Sequence, residues 1–268
     1  MITLSKESIN ANDKFSRDRI NHARLIQAAS DNNTLLFGSK KGNYIIAQWN
    51  SATIMWIWTS NDITEEEKQE IINFINERYL TTELSRIIVK KDIFSLLNPK
   101  IIKNKTVLNT SINPNPILKK EVKGVLSKAT MEEIRVIALF LGQHIEETDN
   151  EVHTLEEMLS RAKELIENEN FYVWRDIDGQ IVSFARLRFD DDKIGRIDIV
   201  FTNRDKRRQG FAGILIYHLS KIIIDSGKIP MLYTDSESLA ANKAYQNVGF
   251  IVQEQLIGVN LDREKITK

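Results

Sequence analysis

The segment from residue 194 to residue 225 places the strongest constraint on how this chain can fold. The apolar run Ile194–Thr202 has the length of a buried strand, and Gly210–Asp225 repeats apolar side chains at helical spacing. The turn between them carries four cationic side chains, namely Arg204, Lys206, Arg207 and Arg208. The N–H groups of a first helical turn have no intrahelical partners, and the helix dipole is positive there. The segment therefore favours an anion-binding turn, although a solvated basic loop that merely starts a helix would have the same composition.

The second half of the chain has a regular order of predicted elements around this turn. Helices are expected at Thr130–Glu146, Thr154–Glu169, Gly210–Asp225 and Ser238–Asn247. Strands are expected at Phe171–Asp176, Gln180–Phe189, Ile194–Thr202, Pro230–Thr234 and Phe250–Val259. The dipeptide Asp178-Gly179 suits a tight antiparallel turn, because both residues tolerate positive φ. The predicted order is α-α-β-β-β-α-β-α-β.

The first half reads as a smaller mixture of helices and strands. Helices are predicted from Phe15 to Ser30 and from Thr64 to Tyr79. Strands are predicted at Thr34–Phe37, Tyr44–Trp49, Thr53–Trp58, Arg86–Val89 and Lys105–Asn109. Trp49, Trp56 and Trp58 are interpreted as packing residues rather than as a ligand site. No catalytic pattern is visible in this half.

A break near Pro114 and Pro116 separates the two halves, because prolines two residues apart do not fit inside a helix or a central strand. Residues 1–125 carry 18 basic and 13 acidic side chains, and residues 126–268 carry the remaining 19 and 24. We therefore expect two domains, 1–125 and 126–268.

Composition excludes several classes of function. The chain has no cysteine, which excludes disulfides, thiolate metal sites and a cysteine nucleophile. Its 37 basic and 37 acidic side chains balance, so no global charge attracts nucleic acid or an anionic membrane. No apolar run approaches the length of a membrane span, and the four histidines lack metal-ligand spacing. We expect a cytoplasmic protein without metal, nucleic-acid or membrane partners, either a monomer or a homodimer.

The second half holds two linked motifs, one formed by Arg207, Gly210 and Ala212 and the other by Tyr245, Gly249 and Phe250. Together they resemble those of the GNAT superfamily of acyl-CoA-dependent N-acyltransferases. The family's segment Q/R-x-x-G-x-G/A, between its fourth strand and third helix, is matched by Arg207, Gly210 and Ala212. A second segment, Y-x-x-x-G-F/Y, is matched by Tyr245, Gly249 and Phe250 in the expected helix-to-strand context. The resemblance covers roughly residues 130–260. It implies an α+β fold with a mixed, mostly antiparallel twisted sheet flanked by helices, preceded by a smaller α/β domain that is a degenerate GNAT-like copy.

The resemblance also implies roles for individual residues. The co-substrate would be acetyl-CoA, and main-chain groups of Val200, Phe201 and Thr202 would pair with its pantetheine amides. Asn242 would bond the cofactor, and Tyr245 would be the general acid to the leaving thiolate; a packed helix tyrosine is the alternative. Backbone N–H groups would hold the pyrophosphate at Arg207, Arg208, Gln209, Gly210, Phe211, Ala212 and Gly213.

The general base is not fixed by any motif. Asp198 is the candidate, because strand alternation puts it on the side of Val200 and Thr202, where it could face the cleft; a solvated carboxylate at a sheet margin is the alternative. The chain departs from close relatives at Ser238, where many have Asn, and at Asn203-Arg204, where they have a Pro-Pro turn.

The expected function is N-acetyl transfer from acetyl-CoA to a primary amine by direct attack in a ternary complex, since no cysteine can carry an acyl intermediate. The alternative is a catalytically silent acyl-CoA-binding or sensing module of the same fold. Residues 130–169 hold eleven acidic and three basic side chains, which favours a cationic acceptor; ordinary solvated helix faces are the competing interpretation.

Overall fold

The computed structural model describes residues 1–49, 53–149, 151–168 and 170–265. The strands are β1 (Ile2–Thr3), β2 (Leu35–Gly38), β3 (Tyr44–Gln48), β4 (Ile54–Thr59), β5 (Arg86–Val89), β6 (Ile102–Ile112), β7 (Val125–Lys128), β8 (Phe171–Arg175), β9 (Ile181–Phe189), β10 (Ile194–Thr202), β11 (Ile229–Asp235) and β12 (Ile251–Leu261). The helices are α1 (Lys6–Asn10), α2 (Asp13–Asp18), α3 (Ala23–Ala29), α4 (Glu65–Thr81), α5 (Lys91–Phe94), α6 (Ile134–Asp149), α7 (Leu155–Glu167), α8 (Phe211–Asp225) and α9 (Leu239–Val248). Short 3-10 turns lie at Arg19–His22, Pro99–Ile101, Met131–Glu133, Arg204–Lys206 and Arg263–Lys265.

The contacts divide the chain into two compact units. The first unit contains Met1–Ser111, Tyr233–Ser238 and Val252–Lys268, and the second contains Ile112–Leu232 and Leu239–Ile251. Among the described helices, none combines the length and the apolarity that crossing a membrane would require.

The first unit is built on β2, β3 and β4, which are antiparallel neighbours. β5 then pairs parallel to β4, and β12 pairs antiparallel to β5. The α4 helix packs against this sheet through its buried face, which includes Ile71, Ile72 and Ile75. Trp56 and Trp58 are buried, which confirms that they are packing residues.

The second unit also joins a set of antiparallel strands to one parallel strand. β7, β8, β9 and β10 are antiparallel neighbours, and β11 pairs parallel to β10. One apolar cluster joins the strands to α8 and α9, and it contains Ile197, Leu215 and Val248. A second cluster joins them to α6 and α7, and it contains Phe184 and Leu141. Helices therefore cover both faces of these strands.

The described elements agree with most of the sequence predictions. The strands at Arg86–Val89 and Ile194–Thr202 have the predicted bounds, and Gly179 has the predicted positive φ, +77°. The predicted helix from Phe15 to Ser30 was wrong as one element, because a 3-10 turn at Arg19–His22 separates α2 from α3. The short strand β7 and the single-turn helix α5 were not predicted, because runs of four residues carry too little periodicity.

Candidate cofactor-binding site

A β-bulge interrupts β10 at the place where the sequence predicts the pantetheine contacts. Asp198 lies opposite Arg186 of β9, but the next aligned pair is Phe201 with Phe184, so β10 holds one extra residue between them. Ile199 has a φ of +52°, which is costly for a β-branched residue. β10 pairs with β11 where Ile194–Arg196 lie beside Ile229–Met231. The bulge thus lies beyond the residues that pair with β11.

The bulge also changes which side chains share a face of β10. Val200 packs in the same apolar cluster as Ile197, while Ile199 and Phe201 pack in the cluster of α6 and α7. Simple alternation would have put Ile197 and Val200 on opposite faces. The argument that Asp198 lies on the side of Val200 was therefore wrong, because alternation holds only without an inserted residue.

The turn between β10 and α8 ends at Gly210, which is the N-cap residue of α8 and has a φ of +100°. Arg208, two residues earlier, also has a positive φ, +63°. Gly210 has no side chain with which to cap the helix, so the N–H groups of the first turn, from Phe211 to Gly213, face the turn. The first turn of α8 contains no acidic residue. These features fit an anion at the helix start.

Three cationic side chains of this turn already have carboxylate partners. Arg204 donates to Glu147 at 2.7 Å and to Glu146 at 2.8 Å. Arg207 donates to both carboxylate oxygens of Glu147, at 2.9 and 2.8 Å, and its Nε donates to the carbonyl oxygen of Thr202 at 3.1 Å. Lys206 pairs with Asp176 at 3.0 Å.

Glu147 is the centre of this ion-pair group. Partial burial raises the pKa of Glu147, but hydrogen bonds from Arg207 and Arg204 outweigh it, and the pKa lies below the ordinary value for glutamate. The two arginines therefore hold the turn against the end of α6.

Tyr245 lies in the α9 helix and is buried in the apolar cluster that also contains Phe211 and Val200. The structure thus brings together three of the predicted site residues on one face of the second unit. Burial raises the pKa of the Tyr245 phenol well above its usual value, so the hydroxyl is neutral over the physiological range. Asn242, one turn earlier on α9, is half-buried.

Asp198 belongs to a chain of charged residues on β9 and β10. Arg186 donates to its two carboxylate oxygens at 2.7 and 2.9 Å, and Arg196 donates to it at 2.6 Å. Arg196 is fully buried and also pairs with Asp190. A carboxylate held by two guanidinium groups is poorly suited to accept a proton. Asp198 as the general base stays a prediction, and its ion pairs argue for a structural role.

A partly buried group of charged residues in the first unit could not be found from sequence spacing. The ligand atoms of Asp18, His22 and Glu254 lie within 4.8 Å of one another. The ammonium group of Lys90 lies among them, 2.6 Å from Asp18 and 3.1 Å from Glu254. The carboxylates therefore already have a cation, and a divalent metal would meet the charge of Lys90 at close range.

Sequence reasoning missed the partners of the turn. Glu146 and Glu147 were counted as acceptor-binding charges, but they pair with Arg204 and Arg207. The opposite charges of the end of α6 and of the turn were a usable signal. The bulge at Ile199 gave no signal in the sequence, because nothing in a run of apolar residues marks where an extra residue is inserted.

The family comparison covers this part of the chain. Residues 136–250 match the model of the acetyltransferase (GNAT) family. This stretch includes β10, the Gly210 turn, α8 and Tyr245. Residues 136–250 therefore match a GNAT acetyltransferase domain, as the two motifs predicted. No curated protein sequence matches the chain at a significant level.

Solved structures of low sequence identity share the fold over nearly the whole chain. A GNAT-family acetyltransferase from Colwellia psychrerythraea is 12% identical, with 97% of this chain and 99% of that chain covered and a TM-score of 0.62. A GCN5-related N-acetyltransferase from Kribbella flavida is 13% identical, with 91% and 94% covered and a TM-score of 0.61. A GCN5-related N-acetyltransferase from Sphaerobacter thermophilus is 14% identical, with 83% and 81% covered and a TM-score of 0.56. These likenesses confirm the predicted mixed, mostly antiparallel twisted sheet flanked by helices.

Proposed function

We propose that the protein is an N-acetyltransferase that moves an acetyl group from acetyl-CoA to a primary amine by direct attack in a ternary complex. The observation that carries the proposal is the combination, inside the family-matched residues, of a bulged β10 with an uncapped glycine turn at the start of α8. A strand with main-chain groups beyond its parallel neighbour suits an extended amide ligand. A helix start without acidic residues suits a pyrophosphate.

Residues of the chain would hold acetyl-CoA in two ways. Val200, Phe201 and Thr202 would offer main-chain groups to the pantetheine, although the carbonyl of Phe201 accepts from Ser183 and that of Thr202 accepts from Arg207. The backbone from Arg207 to Gly213 would hold the pyrophosphate, and Asn242 would bond the cofactor from α9. Glycine at position 210 suits this group, because a side chain there would crowd the turn and contact Val122.

Tyr245 would donate its phenolic proton to the sulfur as the C–S bond breaks. The acetyl carbon gains the bond to the amine nitrogen, the sulfur leaves with the electron pair, and the amine loses one proton to a base. The phenol of Tyr245 is protonated at neutral pH, so it is available as the acid, although burial raises its pKa and so weakens it as a proton donor. A water chain is an alternative to Asp198 as the route for the amine proton.

The acceptor is proposed to be an amine that carries positive charge, because α6 and α7 hold a surplus of acidic residues. The surplus is smaller than the sequence count, since Glu133, Glu146 and Glu147 pair with arginines. We therefore expect salt to raise the KM for the acceptor moderately and to leave kcat nearly unchanged.

Turnover of acetyl-CoA with a panel of cationic, neutral and acidic amines tests the proposal. The expected result is thiol release that depends on the amine, with cationic amines preferred at low salt. Preferred acetylation of neutral or acidic amines, without salt dependence, would contradict the acceptor assignment. An absence of amine-dependent thiol release across the panel would contradict the enzyme assignment.

The second candidate is a catalytically silent acyl-CoA-binding or sensing module. One observation favours it, namely that Asp198 is held by two arginines and so leaves the amine without an assigned base. Calorimetry combined with the turnover assay separates the two candidates, because a silent module binds acetyl-CoA but gives no amine-dependent thiol release.

The first half is proposed to be a degenerate copy of the GNAT fold. Its described strands repeat the order of the second half, with three antiparallel strands, a long helix, a parallel strand, a short helix and a final long strand. The division into domains 1–125 and 126–268, the cytoplasmic location and the monomeric or homodimeric state stay predictions.

A further inference from the structure

Most cationic side chains of the Gly210 turn are already paired with carboxylates, which limits the positive charge that they offer to a pyrophosphate. Two of its arginines are paired with Glu146 and Glu147, and Lys206 is paired with Asp176. These carboxylates would also repel an anionic ligand at short range. Backbone N–H groups supply partial charges at a helix start, but a pyrophosphate brings full negative charges. Arg208 is the remaining cationic side chain of the turn, and a cation from outside the turn would add a second full positive charge for the ligand.

Lys120 provides such a cation from the segment that leads from β6 to β7. A methyl group placed on Gly210 would lie 3.5 Å from Cδ of Lys120, 4.0 Å from its Cε and 3.0 Å from Cγ2 of Val122. The side chain of Lys120 therefore runs beside the α-carbon of Gly210. Lys120 is itself exposed, so its ammonium group can reach a ligand without losing much hydration.

Specific contacts within the second unit hold this segment in place. The backbone N–H of Asn113 donates to Pro230 at 2.9 Å, and its side-chain amide donates to Val248 at 3.0 Å. Further along, the N–H of Ile117 donates to the same Val248 carbonyl at 2.8 Å. Val122 packs against the apolar cluster that includes Phe211. The segment is thus fastened on both sides of Lys120.

We propose that Lys120 is a cofactor-binding residue, whose ammonium group contacts the pyrophosphate of acetyl-CoA at the Gly210 turn. The inference rests on the proposed function. It assigns a binding role to a residue outside both sequence motifs and outside the family-matched residues. Lysine suits this position because a flexible stem with a compact charge can follow a phosphate group without a fixed fork geometry.

Calorimetric titration of Lys120→Met, Lys120→Arg and wild type with acetyl-CoA tests the proposal. Loss of a charged hydrogen bond at an exposed site should weaken binding about tenfold in Lys120→Met, and Lys120→Arg should restore most of the affinity. Lys40→Met is the matched control, because Lys40 is an exposed lysine of the first unit and the change in net charge is the same. Thermal unfolding of each variant checks that a loss of affinity does not arise from a loss of fold.

The same titrations with acetyl-dephospho-CoA, which lacks the 3′-phosphate, identify the contacted group. An equal loss in Lys120→Met with both ligands supports the pyrophosphate, and a loss that disappears with the dephospho ligand overturns that assignment. Unchanged or tighter binding of acetyl-CoA by Lys120→Met, while wild type binds, would overturn the inference and leave the proposed function intact. Failure of wild type to bind acetyl-CoA would overturn the proposed function and this inference with it.

Discussion

Two turns in this chain join the last of several antiparallel strands to a long helix. One helix start is capped and acidic, and the other is uncapped and has no acidic residue. The turn after β4 leads into α4, which begins with a capping box. The Oγ1 of Thr64 accepts from the backbone of Glu67 at 3.2 Å, and the Glu67 carboxylate accepts from the backbone of Thr64 at 3.1 Å. Glu65, Glu66 and Glu67 fill the first helical turn. The positive end of the α4 dipole is therefore balanced by the chain's own side chains.

The turn after β10 leads into α8 and leaves the helix start open. Gly210 stands at the N-cap with a positive φ, and the first helical turn has no carboxylate. Each helix then leads into a strand that pairs parallel with the strand before it, so the topology of the two turns is the same. The difference shows that topology places a helix start beside a strand, while the capping residues decide whether an anion can bind there.

The largest effect should come from giving the second turn the acidic character of the first. Gly210→Glu puts a carboxylate at the open helix start, and we expect acetyl-CoA affinity to fall by at least about 100-fold through charge repulsion and loss of space. Gly227→Glu is the matched control, because Gly227 follows the other end of α8 with a φ of +77° and has open space around its α-carbon. Calorimetry measures the affinity.

Both glycine variants put a side chain on a backbone with positive φ, which costs roughly 1–2 kcal/mol. Their melting temperatures should therefore fall by comparable amounts, with some further loss in Gly210→Glu from contact with Val122. Loss of binding in Gly210→Glu alone supports the assignment of the turn. Similar acetyl-CoA affinities in the two variants would remove the basis for the comparison.

The second-largest effect should show that catalysis depends on the half of the chain that contains the Gly210 turn. Tyr245→Phe removes one buried hydroxyl and little volume, so kcat should fall about 10²–10⁴-fold while acetyl-CoA affinity stays close to wild type. Tyr217→Phe is the control, because Tyr217 lies on α8 and contacts His218 edge to face. The high pKa of Tyr245 also means that its ionisation should not limit the rate below the ordinary tyrosine pKa of about 10.

Wild-type kcat in Tyr245→Phe would return this residue to a packing role in the α9 helix. The Tyr217→Phe control separates a specific loss of kcat in Tyr245→Phe from general damage to the second unit, since both substitutions remove a phenol hydroxyl from a helix of that unit.

The sequence predicted most helices and strands of the second half, because its apolar patterns are long and agree with the motifs found beside them. The strand Ile194–Thr202 and the helix that follows are both apolar and are separated by a glycine turn, and two linked motifs lie at fixed distances. Local propensity and family resemblance therefore predicted the same fold. In the first half, the helix predicted from Phe15 to Ser30 failed because apolar spacing does not reveal a 3-10 turn.

The details of the candidate site were less accessible from the sequence. The extra residue in β10 shifts Val200 to the face of Ile197, and an apolar run offers no marker for it. Lys120 is separated from Gly210 by ninety residues of sequence, and its proximity follows from how Asn113 and Ile117 are anchored. Pairs that meet through tertiary packing alone leave no local pattern.

The smallest expected effect concerns the carboxylates that balance the second turn. Glu147→Gln removes the acceptor shared by Arg204 and Arg207, and it should lower the free energy of unfolding at pH 7 by about 1 kcal/mol or less, because these side chains are partly exposed and screened. Glu146→Gln, which removes a bond from Arg204, is the matched control and should cost less.

The pH dependence of this difference has a fixed sign. The folded-state pKa of Glu147 is lowered, so its contribution is fully present above the unfolded value of about 4.5 and is lost as pH falls through the folded pKa. Urea unfolding measures the free energy of unfolding of wild type and Glu147→Gln between pH 7 and pH 3. The two free energies should differ by a constant amount above about pH 5 and should converge below it. A difference in free energy of unfolding that stays constant through pH 3, or that grows on acidification, would mean that the ion pairs of Arg204 and Arg207 do not hold the turn in solution. The second turn would then be less constrained than the capped start of α4.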